Sequence, residues 1–428
     1  MDFFFFILTT AALLIRPGEL HPTIQSLLLY EVLIILTVIF SFQSLTPQFE
    51  SANLQKSPIT ICAIIYYFCV IMSSFGNGYF DDGFDNIMEF AKMFLYYFLI
   101  IGVVNTKKRF ISYLKWTTIF ALICICIAFL HFWKYFTIAG QENMLTEMDD
   151  GVTVERMGGT GIFKDPNDFA AIAAVFIIAS LYFAFRRGVR LPIRIFWLGT
   201  IVIFFRAIQE SVSRGGLVAL GAGIIGIVIA RFKKKSLFIL PFLPLGLLLV
   251  GGRQGDLSLT SGTGQERIRL QHQGLGYVLR RPIFGIGISH YELEVGENHV
   301  AHNSYLQSLV ELGLLGGAVF AAVYFFATLM LFKVTWRRTI VDSDLAEVRP
   351  FIIGMIFSQI AAKMSLSQNY QVPTFLFWGL AMAFAKICQT DPPIEKWYKN
   401  PFMMYIVVVA ITDIVFFYVY LNAMVRFS

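Results

Sequence analysis

A cluster of arginines and histidines lies between residues 251 and 303 of a chain that is otherwise rich in apolar residues. The segment holds four of the chain's six histidines and no lysine, and its arginines are Arg253, Arg267, Arg269, Arg280 and Arg281. A neutral imidazole, with an ordinary pKa of about 6.5, accepts a proton at neutral pH. Arginine suits the bidentate recognition of phosphate or carboxylate. These residue types therefore predict proton transfer beside a bound anion.

Charged residues also stand near the ends of apolar stretches. Arg214 occurs in the sequence SVSRGG, and a charge near a membrane boundary needs a partner or a water-filled cavity. Lys363 could add charge to the same pocket, although extension of its side chain to the membrane interface is the simpler expectation. Carboxylates in the polar segment, such as Glu266 and Glu292, could neutralise single arginines in ordinary salt bridges. For the arginines as a set, we favour an anion site.

The composition of the rest of the chain indicates that this cluster belongs to a membrane protein. Of the 428 residues, 57% are hydrophobic and 14% are charged, whereas a soluble domain carries about 25% charged residues. Many apolar stretches approach the roughly 20 residues that cross a bilayer. We therefore predict an all-α polytopic membrane protein with about twelve or thirteen transmembrane helices. The predicted helices are 2–15, 24–41, 58–74, 86–104, 114–136, 167–185, 192–206, 212–230, 237–250, 304–332, 350–365, 370–388 and 402–424.

Clusters of basic residues predict which ends of these helices face the cytoplasm. The clusters lie at 107–109, 186–194, 231–235 and 333–338, at every second loop. Because Lys and Arg accumulate in cytoplasmic loops, these four clusters mark the cytoplasmic side. The segment that holds the arginine and histidine cluster falls on the other side of the membrane and is therefore expected outside. The chain then divides into N-terminal transmembrane helices (1–250), an external loop (251–303) and C-terminal transmembrane helices (304–428). The net charge of +6 follows this topology and does not indicate a nucleic acid partner.

His302 stands immediately before a predicted helix, where Asn303 or Ser304 can cap the helix N-terminus. A structural histidine, hydrogen-bonded to a neighbouring loop, is the alternative to a proton acceptor at this position. The sequence His299-x-x-His302 lacks the H-E-x-x-H spacing, so we expect no metal site. The sequence GIGIS at 285–289 is not a G-x-S-x-G motif, which argues against a serine hydrolase.

Several short motifs occur in an order that points to one family. His302-Asn303 is followed, after nine residues, by Gly313 and then Gly316, which matches the H-[NSQ]-x9-G-x-x-G signature of O-antigen ligases. The other motifs are RPGE at 16–19, DPN at 165–167, SRGG at 213–216, GQERIRL at 264–270 and PIFGIG at 282–287. With its many spans and large external loop, the chain resembles the O-antigen ligase and polymerase superfamily.

The resemblance implies a membrane glycosyltransferase that needs no metal or cofactor. The donor would be a glycan linked to undecaprenyl diphosphate, presented at the periplasmic face of a bacterial inner membrane. The acceptor would be a sugar hydroxyl of lipid A-core or of another lipid-linked glycan. Carried over by motif, His302 is the catalytic base, while Arg214 and Arg267 bind the diphosphate, with Arg269 as the alternative to Arg267. The weaker candidates for substrate binding are Arg16, Asn303, Ser304 and Gln307.

Other functions remain as alternatives. Within the superfamily, a ligase is slightly favoured over an O-antigen or exopolysaccharide polymerase, because the His-Asn signature is that of ligases. A transporter of lipid-linked glycans belongs to a different class. Transporters place charges near the bilayer midplane and often contain internal repeats, whereas here the polar residues gather in one loop and no two halves look alike. A membrane scaffold would leave the arginine-rich loop unexplained.

Overall fold

The structure is a computed structural model of the 428-residue chain. It describes all residues except 21–27, 136, 139–143, 148–152, 161–162, 234–262, 296–298, 335–337, 395–396, 398–400 and 426–428. The predicted span at 237–250 and Arg253 lie outside the described residues.

Helices dominate the described chain. The first group is α1 (Asp2–Ile15), α2 (Pro17–Leu20), α3 (Leu29–Leu45), α4 (Ser51–Gln55), α5 (Pro58–Gly76), α6 (Asp81–Val103), α7 (Lys107–Phe132), α8 (Pro166–Phe185), α9 (Leu191–Glu210) and α10 (Arg214–Phe232). The second group is α11 (Thr263–Arg280), α12 (Tyr291–Glu294), α13 (Ser304–Lys333), α14 (Ser343–Lys363), α15 (Val372–Ile387) and α16 (Phe402–Met424). Two antiparallel strand pairs join β1 (Met144–Glu147) to β2 (Thr153–Arg156) and β3 (Thr339–Ile340) to β4 (Thr390–Asp391).

Eleven helices in the described part of the chain are long and apolar enough to cross a membrane, and α15 is apolar but shorter. The prediction of an all-α polytopic membrane protein is therefore confirmed. Three helices begin at least five residues earlier than predicted: α6 at Asp81 instead of 86, α7 at Lys107 instead of 114, and α14 at Ser343 instead of 350. Their first turns are polar, so hydropathy did not reveal them.

Polar caps fix the helix ends that meet at one face of the molecule. The Asp165 carboxylate accepts hydrogen bonds from the backbone N–H groups of Asn167 (2.7 Å) and Asp168 (3.2 Å) at the start of α8. Ser213 Oγ accepts one from the backbone N–H of Gly216 (3.3 Å) at the start of α10. Such caps satisfy N–H groups that have no partner within the helix.

Small residues bring α8, α10 and α14 into close contact. A Cβ atom at Gly216 would lie 2.6 Å from Ala170 Cβ, and one at Gly354 would lie 2.8 Å from the carbonyl oxygen of Gly223. Larger side chains at these glycines would force the helices apart. Because van der Waals contact is a main source of helix association in lipid, small interfaces of this kind are favoured there. The start of α10 is thereby held against the start of α8.

The helix predicted at 304–332 is broken at Gly313, which has φ 74° and ψ −174°. The turn at 281–288 packs into the break. The backbone N–H of Ile286 donates to the Val310 carbonyl (3.0 Å), and that of Leu314 donates to the Pro282 carbonyl (2.8 Å). A Cβ at Gly313 would lie 2.4 Å from the carbonyl oxygen of Ile283. The freed backbone groups are thus satisfied by the turn, as irregular backbone at membrane depth requires.

The helix ends define two faces. The His302 face carries His302 and the starts of α8 and α10. On the opposite face, which we call the basic face, Lys107 pairs with Asp342 (2.8 Å) and Asp344 (2.9 Å), and the backbone N–H of Arg187 donates to Glu347 (2.8 Å). Helix α14 runs from one face to the other. The basic clusters at 107–109 and 186–194 thus lie away from His302.

Candidate active site

His302 lies directly before α13, where the external segment meets the transmembrane helix. Its backbone N–H donates a hydrogen bond to Ser367 Oγ (3.0 Å), in the loop between α14 and α15. The Asn303 side chain accepts hydrogen bonds from the backbone N–H groups of Tyr305 (3.1 Å) and Leu306 (3.2 Å). His302 has a φ of 49°, which is uncommon for a residue with a Cβ atom. Asn303 therefore caps α13, and the contacts around His302 hold a strained backbone in place.

The imidazole of His302 is half-buried and lies within the electrostatic reach of Arg267, Asp165 and His299. Burial, and next the positive charge of Arg267, lower the pKa of His302 from 6.5 to about 4. Asp165 acts in the opposite direction, and His299 adds to the lowering. The imidazole is therefore neutral at neutral pH and can accept a proton.

Arg156, at the end of β2, is a cation of this site that the sequence analysis missed. Its Nε donates to the Ser211 carbonyl (2.8 Å), and its second guanidinium nitrogen donates to Asn167 Oδ1 (2.8 Å). Burial lowers the pKa of Arg156, Asp165 raises it, and Arg267 lowers it further. Two arginines thus repel each other beside one carboxylate, which leaves positive charge for an anion. The available signal was an arginine in the loop between the predicted helices 114–136 and 167–185. The alternation of the basic clusters places this loop on the external side, where arginine is uncommon.

Arg267 and Arg269 differ in their surroundings on α11. Arg267 is half-buried, whereas Arg269 is exposed. Burial lowers the pKa of Arg267, while Asp165 and then Glu266 raise it. With 3.6 residues per turn, side chains two positions apart point in widely different directions. Arg267 is the one of the pair that faces Asp165 and His302.

Arg214 is the first residue of α10 and is exposed. The preceding Ser213 donates its hydroxyl to Asn167 Oδ1 (2.9 Å), the atom that also binds Arg156. A Cβ at Gly215 would lie 2.8 Å from Ser365 Oγ. Arg214 therefore stands at the same face as the cluster, although no hydrogen bond among the described residues joins its guanidinium to His302.

Arg16 lies elsewhere. It ends α1, pairs with Glu19 (2.8 Å), and lines a cavity of about 380 Å³ between α1, α3 and α6. The described lining of that cavity, which includes Glu31 and Lys92, shares no residue with the surroundings of His302. The structure does not bring Arg16 together with the other predicted site residues.

Ser304 and Gln307 are buried in the first turns of α13. Ser304 Oγ donates to the Leu366 carbonyl (2.6 Å) and accepts from the backbone N–H of Gln368 (2.9 Å). Gln307 Nε2 donates to Glu311 Oε1 (3.1 Å). Both contacts are internal: Ser304 ties the start of α13 to the loop between α14 and α15, whereas the Gln307 contact lies within α13.

The loop at 364–371 is anchored by a buried polar network. Gln368 Nε2 donates to Asp168 Oδ1 (2.8 Å), and Lys363 Nζ donates to Gln368 Oε1 (2.5 Å). Gln371 Nε2 approaches the second Asp168 oxygen at 3.5 Å. Lys363 is fully buried, so the expected extension of its side chain to the membrane interface is wrong. Gln368 bridges the Lys363 ammonium to the Asp168 carboxylate. The opposite charge of this carboxylate takes the place of water around the buried ammonium. This network supports Ser367 and, through it, His302.

Fold and site together define a polytopic membrane protein with a neutral histidine beside clustered arginines at one end of its helices. Residues 168–321 match the model of a protein family described as O-antigen ligase. The resemblance inferred from the motifs is therefore confirmed, and the family supports a membrane glycosyltransferase of the O-antigen ligase or polymerase type. The match includes Arg214, Arg267 and His302, but not Arg156 or the loop at 364–371. No curated protein matches the chain.

Proposed function

We propose that the protein transfers a glycan from undecaprenyl diphosphate to a sugar hydroxyl at the periplasmic face of the inner membrane. One observation carries the proposal: the neutral imidazole of His302 lies within the electrostatic reach of Arg267, in a cluster where two arginines share one carboxylate. This arrangement offers a proton acceptor and an anion site side by side.

The reaction needs one bond to form and one to break. His302 accepts the proton of the acceptor hydroxyl, whose oxygen attacks the anomeric carbon of the donor sugar. The bond from that carbon to the diphosphate oxygen breaks, and the electron pair leaves with the diphosphate. Fixed guanidinium groups stabilise the growing negative charge, so the step requires no metal ion. In this proposal Arg267 has this role first, together with Arg156 and Arg214, and Arg269 is the alternative to Arg267.

The family description supports our proposal for the acceptor. We favour lipid A-core, and thus ligation, because the matching model is described as O-antigen ligase. Polymerisation of O-antigen or exopolysaccharide would use the same base and the same arginines with a lipid-linked acceptor. The basic clusters on the face opposite His302 support the periplasmic side for the proposed reaction, since such clusters mark the cytoplasmic side.

Product formation in detergent separates transfer from transport, because detergent micelles have no sidedness. We expect the purified protein to form glycosylated acceptor from undecaprenyl diphosphate-linked glycan and lipid A-core, measured by the mobility shift of the acceptor. Replacing lipid A-core with a second portion of the lipid-linked glycan tests polymerisation in the same assay. A protein that moves the donor across vesicles and forms no product with either acceptor would contradict the proposal.

The pH dependence of transfer should report the lowered pKa of His302. We expect kcat/KM to stay level well below pH 6.5 and to fall near pH 4, where the imidazole of the free enzyme takes up a proton. Stability should follow the same group. Between pH 6.5 and about 4 the unfolded chain binds the proton more readily than the folded chain, so the free energy of unfolding decreases as the pH is lowered through this window. An activity limb at pH 6.5 would mean that His302 is not the titrating base.

A further inference from the structure

The basic face contains a cavity of about 780 Å³, far from the candidate active site. Its described lining includes Val341, just before α14, whereas the loop that holds His302 follows the other end of that helix. The 21 residues of α14 span about 30 Å. The cavity therefore opens on the opposite side of the molecule from His302.

Two lysines give the cavity positive charge. Lys56 and Lys386 both line it, and the Lys386 ammonium donates a hydrogen bond to Gln48 Oε1. The lining residues that the structure describes include no aspartate or glutamate. The nearby carboxylates of Asp342 and Asp344 are both paired with Lys107. The local charge therefore favours an anion.

Ser57 supplies an independent sign of a ligand. It lines the cavity, is 1% exposed, and its hydroxyl has no hydrogen-bond partner within the described residues. Buried polar atoms are usually satisfied, so an orphaned one calls for a missing partner. Ser57 is also the N-cap residue of α5, although its side chain makes no cap bond. The positive end of the α5 dipole thus points to the same place, and helix N-termini of this kind bind phosphate.

We propose that this cavity binds a phosphate-bearing anion through Lys56, Lys386 and Ser57. Apolar side chains, among them Ile101, Met382 and Trp397, form one part of the remaining wall, and neutral polar side chains such as Asn105 and Gln389 form the other. Apolar walls beside a basic pocket suit the headgroup and first acyl carbons of an anionic phospholipid. Inorganic phosphate presents the same oxygen atoms without the acyl chains, and the experiment must therefore separate the two sources.

The test compares three forms of the protein: the wild type, the double variant Lys56→Gln/Lys386→Gln, and the matched control Lys108→Gln. Lys108 is exposed on the basic face and does not line the cavity. Each form is placed in nanodiscs of phosphatidylcholine with or without phosphatidylglycerol, and in detergent with increasing inorganic phosphate. The thermal unfolding midpoint is measured in every condition.

We expect phosphatidylglycerol to raise the midpoint of the wild type and of Lys108→Gln, and the double variant to bind it at least about tenfold more weakly. A rise with inorganic phosphate in detergent, lost in the double variant, would also support the site and would identify the free anion as a ligand. The proposal is overturned if neither addition raises the midpoint, if the double variant responds like the wild type, or if Lys108→Gln loses the response equally. None of these outcomes depends on glycan transfer.

Discussion

Replacing His302 with alanine is expected to lower kcat for glycan transfer by about 10²- to 10⁴-fold, the usual contribution of a positioned general base. The imidazole is the group that the site keeps neutral beside a cation, and its removal leaves the acceptor hydroxyl with only water to take the proton. The measurement is single-turnover transfer by purified protein in detergent. Because His302 touches the reacting hydroxyl in this mechanism, the loss should appear in kcat more than in KM.

His272→Ala is the matched control for this variant. His272 lies on α11 at the same face, and its ring contacts Asn422 on α16 (3.4 Å). We expect it to keep near-normal turnover. Gel filtration and the thermal unfolding midpoint establish that both variants are folded. If the His302→Ala variant is folded and transfers glycan at a near-normal rate, the imidazole is not the base.

Replacing Arg267 with alanine is expected to lower kcat by about 10²- to 10³-fold, as the loss of one preorganised donor to a developing negative charge does. The guanidinium is half-buried within the electrostatic reach of Asp165 and His302, where water screens charge less than at an exposed site. Arg267→Lys should recover part of the activity, because it keeps the charge but loses the bidentate geometry.

Arg269→Ala is the matched control, since Arg269 lies two residues along the same helix and is exposed. If kcat falls more in Arg269→Ala than in Arg267→Ala, then Arg269 is the arginine that binds the diphosphate. The pH profile gives a second test. If Arg267 had a purely structural role, its replacement would not shift the pH profile of kcat/KM. Because the Arg267 charge lowers the pKa of His302, Arg267→Ala should move the acid limb of kcat/KM to higher pH, and Arg267→Lys should leave it in place.

The transmembrane helices could be predicted because a long apolar stretch in lipid has few stable structures other than a spanning helix. The start of α13 followed from the capping residues Asn303 and Ser304, of which Asn303 is the cap. The early starts of α6, α7 and α14 could not be predicted, since hydropathy does not distinguish a polar first turn from a loop. The break at Gly313 was hidden for another reason: it depends on the turn at 281–288, which reaches it only in the folded chain.

The candidate site was predictable to the extent that its residues stand in motifs. His302 and Arg267 come together as expected, whereas Arg16 lies in another cavity because α1 packs against α3 and α6. Arg156 has no motif of its own. Its place depends on contacts with Ser211 and Asn167, from separate parts of the chain. The buried network around Gln368 was equally invisible, because a glutamine between a lysine and an aspartate has meaning only in three dimensions.

The loop at 364–371 has a consequence for the assembly of the protein in the membrane. Ser367 holds the backbone of His302, and Gln368 ties Ser304 and Asp168 to the same loop. A nascent chain that has inserted everything up to α13 already contains the histidine and the arginines, but it lacks the loop that fixes their geometry. The geometry that we propose for catalysis therefore arises only after α14 has been inserted and the loop behind it has folded back, late in biosynthesis.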